Sequence, residues 1–164
     1  MHIKELMSQP VVTCPTNCTL DAAARLMWEF DCGIIPIVND DGRLAGVVTD
    51  RDICMAAYTQ GRPLGAIEVT KAMAKQVVAV HAEDSIESAE ELMRDNRVRR
   101  LPVIDNAGRP VGILAINDLA RLAGQVKRSA VDRELVATIA AICEPRPGVG
   151  VAVKPEAALP VSVA

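Results

Sequence analysis

Two hydrophobic periods alternate along the first 124 residues. Val11-Val12-Thr13 is a short β-branched run and reads as a strand. Leu20, Ala23, Ala24 and Met27 then recur at helical spacing, with Thr19 in the N-cap place. Ile34 to Val38 is an apolar run that reads as a buried strand, and Pro36 within it implies an edge or a strand start. Asn39-Asp40-Asp41-Gly42 is a turn, Arg43 to Val48 is its hairpin partner, and Thr49 opens a second helix. The same order then returns. Asp84 or Ser85 caps a helix carrying Ile86, Ala89 and Met93; Leu101–Ile104 and Arg109–Leu114 flank a second turn; a helix follows from Ile116. Ile3–Met7 and Thr70–Met73 read as equivalent lead-in turns.

The recurrence is a duplication. Shifted by 66, residues 7–53 fall on 73–119 without a gap, with 11 identities in 47 positions. Met7, Val11, Val12, Leu26, Met27, Pro36, Gly42, Arg43, Gly46 and Asp52 are among the residues that repeat. Missing such a repeat would misread the fold. Each copy predicts β-α-β-β-α, an α+β unit. The expected organisation is repeat one over 1–58, a linker over 59–69, repeat two over 70–124, a C-terminal helix over 125–144 and a poorly ordered tail over 145–164. Leu135, Ile139 and Ile142 would share one face of that last helix.

Composition removes several classes of function. The chain has 164 residues, half of them hydrophobic, and a net charge of −3. It needs no staple to bury a core. The acidic balance argues against binding a phosphate backbone. Trp28, Phe30 and Tyr58 are the only aromatic residues, too few for a base-stacking platform. No apolar run approaches the ~18 residues of a membrane span, and the first nine residues hold no signal-peptide core. The five cysteines include no Cys-x-x-Cys, so reduced thiols in a cytoplasmic protein are expected. Copy two has no cysteine at the places of Cys14, Cys18, Cys32 and Cys54, which weakens a metal reading. A sensor built from Cys14, Cys18 and His81 remains a rival, with no metal site assigned.

One segment carries chemistry. Gly46-Val47-Val48-Thr49-Asp50-Arg51-Asp52 passes from a strand into a helix. Gly46 permits close approach of a neighbouring backbone. Thr49 puts a hydroxyl at a helix N-terminus, where free N–H groups and the helix dipole suit a phosphate. Asp52, one turn later, can accept from both hydroxyls of a ribose. Thr49-x-x-Asp52 also has capping-box spacing and would start a helix with no ligand. Residues alone leave both roles open. In copy two the segment is Gly112-Ile113-Leu114-Ala115-Ile116-Asn117-Asp118, which keeps the acid and loses the hydroxyl.

The repeat resembles the cystathionine-β-synthase (CBS) domain, and the pair resembles a Bateman module. The likeness covers about residues 1–124. It rests on the Ile-Pro-Ile-Val-Asn-Asp-x-Gly-x-Leu-x-Gly block and on the Gly-Val-Val-Thr-Asp-Arg-Asp segment, which is similar to the family's ribose-phosphate motif. It implies two CBS repeats packed with pseudo-two-fold symmetry and a regulatory, non-enzymatic signalling role. The ligand implied is an adenine nucleotide (AMP, ADP, ATP or NAD) or S-adenosylmethionine, bound between the repeats. It implies Thr49, Asp50, Arg51 and Asp52 around ribose and phosphate. Arg99 and Arg100, three and two positions before Pro102, would join them from the facing repeat. Val12, Thr13, Ile34, Ile35, Pro36 and Val47 would line the adenine cleft. A second, weaker site would involve Ile113, Ala115, Asn117 and Asp118. The amphipathic helices also imply a homodimer, with an unidentified protein target and no nucleic-acid or membrane partner. The rival is a ligand-free scaffold in which Thr49 and Asp52 serve only as a cap. No Ser/His/Asp set, P-loop or His-Glu-x-x-His occurs, so no catalytic residue is expected.

Overall fold

Each apolar run finds its partner within its own repeat. A computed structural model describes residues 1–125 and 129–143. In repeat one, β1 (Cys14–Pro15), α1 (Leu20–Glu29), β2 (Ile34–Val38), β3 (Leu44–Thr49) and α2 (Asp50–Gln60) follow in order. Repeat two gives β4 (Val80–His81), α3 (Ile86–Asn96), β5 (Arg100–Ile104), β6 (Pro110–Ala115) and α4 (Ile116–Gln125). A fifth helix, α5 (Ser129–Cys143), closes the described chain. The strands form two three-stranded sheets, β1-β2-β3 and β4-β5-β6. The outer pair is parallel and the hairpin antiparallel in each. The two hairpin turns close on Gly42 and Gly108, whose φ of +76° and +79° a side chain would resist.

The alternation in β2 and β3 splits their residues between two faces. Ile35, Ile37 and Val48 point into a core with Leu20, Ala23, Met27 and Ile53. Repeat two builds its own core from Val80, Ile86, Ala89, Met93, Leu101, Val103 and Leu114. Burying a dozen such side chains at 1.5–3 kcal/mol each makes these two clusters the main stabilising term, by order of magnitude.

The lead-in turns are exchanged. Ile3, fully buried, packs in the core of repeat two, and its N–H donates to Asp84 O at 3.0 Å. Ile67 and Val69 pack in the core of repeat one, where the Val69 N–H donates to Cys18 O at 2.9 Å. Ser8 pairs with Ile113 and Ala74 pairs with Val47, each through two backbone bonds. The exchange is reciprocal, so each repeat is finished by the segment that introduces the other.

Four expectations need correction. Val11-Val12-Thr13 is not a strand: β1 starts at Cys14, where the chain first meets Ile37 and Val38. Pro36 is not on an edge strand, because β2 is central. Yet β1 spans only Ile37 and Val38, so the stretch holding Pro36 has a partner on the β3 side alone and needs no N–H toward β1. On α5, Leu135 and Thr138 are buried and Ile139 is 39% exposed, so the inward stripe runs one residue away from Ile139. Cys14 and Cys18 are not free thiols. The turn closed by Cys18 N–H on Pro15 O brings them together in a disulfide, while Cys32, Cys54 and Cys143 are free. The tail expected over 145–164 lies outside the described residues.

Candidate functional site

The N-terminus of α2 is held by its own side chains. Thr49 is extended at φ −111°, as an N-cap must be. Its backbone N–H and its hydroxyl both donate to Asp52 Oδ2, at 2.9 and 2.7 Å. The Asp52 N–H returns a bond to Thr49 Oγ1 at 3.3 Å. This is the reciprocal capping arrangement allowed by the spacing. It leaves Asp52 Oδ1 without a protein partner among the described residues, in a half-buried position. The capping role is therefore realised, and half of the carboxylate is still available.

Repeat two reaches this place through Arg100. An ideal side-chain atom on Gly33 would stand 3.0 Å from Arg100 Nη2 and 3.1 Å from Asp50 Oδ2. The guanidinium and the Asp50 carboxylate thus flank one point, and glycine at position 33 is what makes room for them. In the sequence Gly33 registers only as the lack of a basic residue. The same arginine acts on Cys32: burial pushes that thiol up, while the Ile34 backbone N–H and the Arg100 charge pull it down. Arg99 and Arg51 are exposed. Asp50 is exposed and caps the Arg51 N–H through Oδ1 at 2.7 Å.

The inter-repeat face of β3 runs away from this point. Ala45, Val47 and Thr49 alternate with buried Gly46 and Val48, so they share a face. Ile34 and Pro36 lie opposite Thr49 and Val47 in register and share that face as well. Ala45, about 13 Å from Thr49 along the strand, lines a cavity of about 450 Å³ with Leu44, Val77, Ala79, Ile104 and the polar Arg43, Lys75 and Asn106. Two residues expected in this lining are elsewhere. Ile35 is fully buried in the repeat-one core, and Val12 packs against that same core. Thr13, which matches Ala79 by the repeat, is half-buried just before β1 and does not line that cavity. The exchange of lead-ins brings Val77 and Ala79 to the cavity beside Ala45. The sequence marked the lead-ins as equivalent but not as crossed.

In repeat two Asp118 is 2% exposed. Its Oδ2 accepts from the Ala115 N–H at 2.7 Å, and its Oδ1 is held by the Arg121 guanidinium. Ile113 lies opposite Pro102, and Asn117 is exposed. His81 lies in the other sheet from Cys14 and Cys18, its N–H on Asp84. Among the described residues no three His, Cys, Asp or Glu side chains gather as a metal site would need. None of the described helices is long and apolar enough to cross a membrane.

Known proteins share this architecture. The "CBS domain-containing protein YhcV" of Bacillus subtilis is 39% identical over 118 residues, 72% of this chain and 82% of the relative. The structure of CBS domain protein PAE2072 from Pyrobaculum aerophilum, complexed with AMP, superposes with a TM-score of 0.69 at 26% identity, over 83% of this chain and 98% of that one. That of Hypoxic Response Protein I, with two coordinated zinc ions, does so with a TM-score of 0.67 at 35% identity, over 74% and 98%. The CBS domain model itself matches residues 3–58 and 66–124, the two halves of the duplication. On its sequence and its fold alike, the chain belongs to the CBS domain family.

Proposed function

We propose that this CBS pair is a regulatory module that binds an adenosine nucleotide between its repeats, with no chemistry of its own. The observation that carries the reading is the meeting of Arg100 from repeat two with the α2 N-terminus of repeat one, beside a Thr49–Asp52 pair whose Asp52 Oδ1 is unengaged. A phosphate there would face a guanidinium fork and a helix dipole, and a ribose would find the free carboxylate oxygen. The base would lie along Val47 toward the cavity lined by Ala45, Val77 and Ala79. A relative that binds AMP supports the class of ligand. A ligand-free scaffold explains the capping box but gives no reason for Arg100 to reach across to Gly33.

The module's partner is a second copy of itself. Trp28, Phe30 and Tyr58, with Met55, are 88%, 57%, 82% and 47% exposed on the α1 and α2 side of repeat one. By the repeat, Arg94, Asn96, Gly124 and Arg121 stand at those places in repeat two, where α5 packs on α3 and α4. Large apolar side chains left open together on one side of a repeat mark an interface. Titration calorimetry with AMP, ADP, ATP, NAD and S-adenosylmethionine tests the ligand. Saturable binding by at least one of them is expected, and heats of dilution for all five would end the nucleotide reading. The Cys14–Cys18 disulfide favours a second reading, a thiol sensor. A dimer content that changes reversibly on reduction, with no nucleotide bound, would select it.

A further inference from the structure

We infer that the pair takes one nucleotide per chain, and that Arg121 is the side chain that keeps the second cleft shut. The inference rests on the nucleotide reading above. The two acids occupy equivalent places, yet their oxygens are differently engaged. Asp52 commits only Oδ2 to Thr49, through its N–H and its hydroxyl. Its Oδ1 keeps lone pairs for both hydroxyls of a ribose. Asp118 commits both oxygens, one to the Ala115 N–H and one to Arg121. The Asp118 side chain is 3% exposed and that of Arg121 is 65% exposed, so the arginine covers the acid from the solvent side. A ribose hydroxyl is a neutral donor. To reach Asp118 it would have to displace a charged donor one helical turn away, which binds the carboxylate more strongly.

Two further differences in sequence act in the same direction. Ala115 lacks the hydroxyl of Thr49, and the places of Arg99 and Arg100 hold Gly33 and Ile34. The place of Arg121 in repeat one is Met55, which has no donor to offer Asp52. One exchange at the second turn of a helix thus separates an open acid from a closed one.

The test is the stoichiometry of AMP binding to the full chain by titration calorimetry. One AMP per chain is expected. Asp52→Ala should abolish or weaken that event, and Asp118→Asn should leave its affinity within about twofold. Ala115→Thr combined with Arg121→Met restores the hydroxyl and frees the acid as in repeat one, without a counterpart of Arg100, and should add a second, weaker equivalent. The thermal unfolding midpoint of each variant reports its fold. Two equivalents in the unaltered chain overturn the inference. So does a single equivalent in the folded double variant, which would show that Arg121 is not what closes the cleft. If the double variant does not fold, an AMP event lost in Asp118→Asn and kept in Asp52→Ala overturns it instead. No AMP binding by any form removes the nucleotide reading itself and this inference with it.

Discussion

Asp52→Ala separates the two roles that Thr49 and Asp52 can play, because the substitution acts on stability and binding by different routes. The first route is the helix start. Asp52 Oδ2 accepts from the Thr49 N–H and hydroxyl at 2.9 and 2.7 Å, and its removal leaves the N–H without a partner and α2 without half of its cap. Losing a cap of this kind costs about 0.5–2 kcal/mol. Urea unfolding of the free protein reads that loss directly. The second route is the ligand. If Asp52 Oδ1 receives the ribose, AMP binding should weaken by about 1.5–3 kcal/mol, the range for hydrogen bonds to a charged group. That is roughly 10- to 150-fold in affinity. A loss of stability does not by itself produce this, because a well-folded fraction dominates until most of the ΔG is gone. Asp52→Asn keeps an acceptor oxygen for the Thr49 N–H and should restore most of the stability while binding stays weak. If Asp52→Ala lowers stability and leaves the calorimetric affinity for AMP unchanged, the acid is a cap alone and the proposed ribose contact is wrong.

Other consequences follow from the same geometry. Gly46→Ala would set a methyl 2.9 Å from the Ala74 carbonyl oxygen and 2.7 Å from Met73 Sδ, and the backbone oxygen cannot swing away. It should cost about 1–3 kcal/mol in urea unfolding. Gly112→Ala, whose fixed neighbour Ser8 O is at 3.2 Å, should cost less, and the opposite ranking would contradict the exchanged lead-ins. Ile3→Ala should lower stability by about 2–5 kcal/mol despite its place at the chain start, since Ile3 is fully buried in the repeat-two core. A cost below 0.5 kcal/mol, the ordinary scale for surface changes, would mean the segment is not docked. Trp28→Arg with Tyr58→Lys should convert a sedimenting dimer into a 17.5 kDa species, and an unchanged distribution would move the interface elsewhere. Lys4 donates to Glu83 and holds that carboxyl below its ordinary value of 4.5. A depressed folded pKa gives support above the unfolded value that fades as pH falls below it. Lys4→Met should therefore flatten the acid side of the thermal midpoint profile, and an unaltered profile would show that the pair contributes nothing.

The order of elements was legible because it rests on local rules. Apolar residues at three- and four-residue spacing gave α1 and α3, the Asn39–Gly42 and Asp105–Gly108 turns gave the hairpins, and the 66-residue shift tied the copies together. The Thr49 cap was legible for the same reason, since both halves of the box lie within four residues. What was not legible depends on contacts remote in sequence. Nothing near Ile3 says that its core is built from Val80 and Met93. The start of β1 at Cys14 is decided by where Ile37 and Val38 can pair with it. The inward face of α5 depends on α3 and α4, and apolar spacing allowed Ile139 where packing chose Thr138. Arg121 passed unnoticed because an arginine one turn after an acid is common on exposed helices. Only the burial of Asp118 reveals what it covers.

The exchange of lead-ins bears on how occupancy of the cleft could be felt elsewhere. A ligand shifts a protein between shapes only if it binds one of them better. The cavity is made by both repeats, with Ala45 from repeat one and Val77, Ala79 and Ile104 from repeat two, and the proposed site continues from it past Val47 to Thr49 and Arg100. A molecule touching both sides therefore binds best at one separation of the sheets. That separation is also gripped by the crossed segments, since Ala74 is paired to Val47 by bonds of 2.8 and 3.0 Å just before the chain reaches Val77. The linker that follows α2 leads into those same residues, and α2 carries Met55 and Tyr58 on its exposed side. A phosphate drawn to Arg100 at the start of α2 thus acts at one end of the helix whose side forms the proposed dimer face. Coupling of this kind is reciprocal. Dimer formation should tighten AMP binding by the same factor that AMP tightens the dimer. Trp28→Arg with Tyr58→Lys should therefore lower AMP affinity although neither residue lies in the cleft. If that monomeric variant binds AMP as the unaltered dimer does, cleft and face are independent, and the module senses its ligand through some other surface.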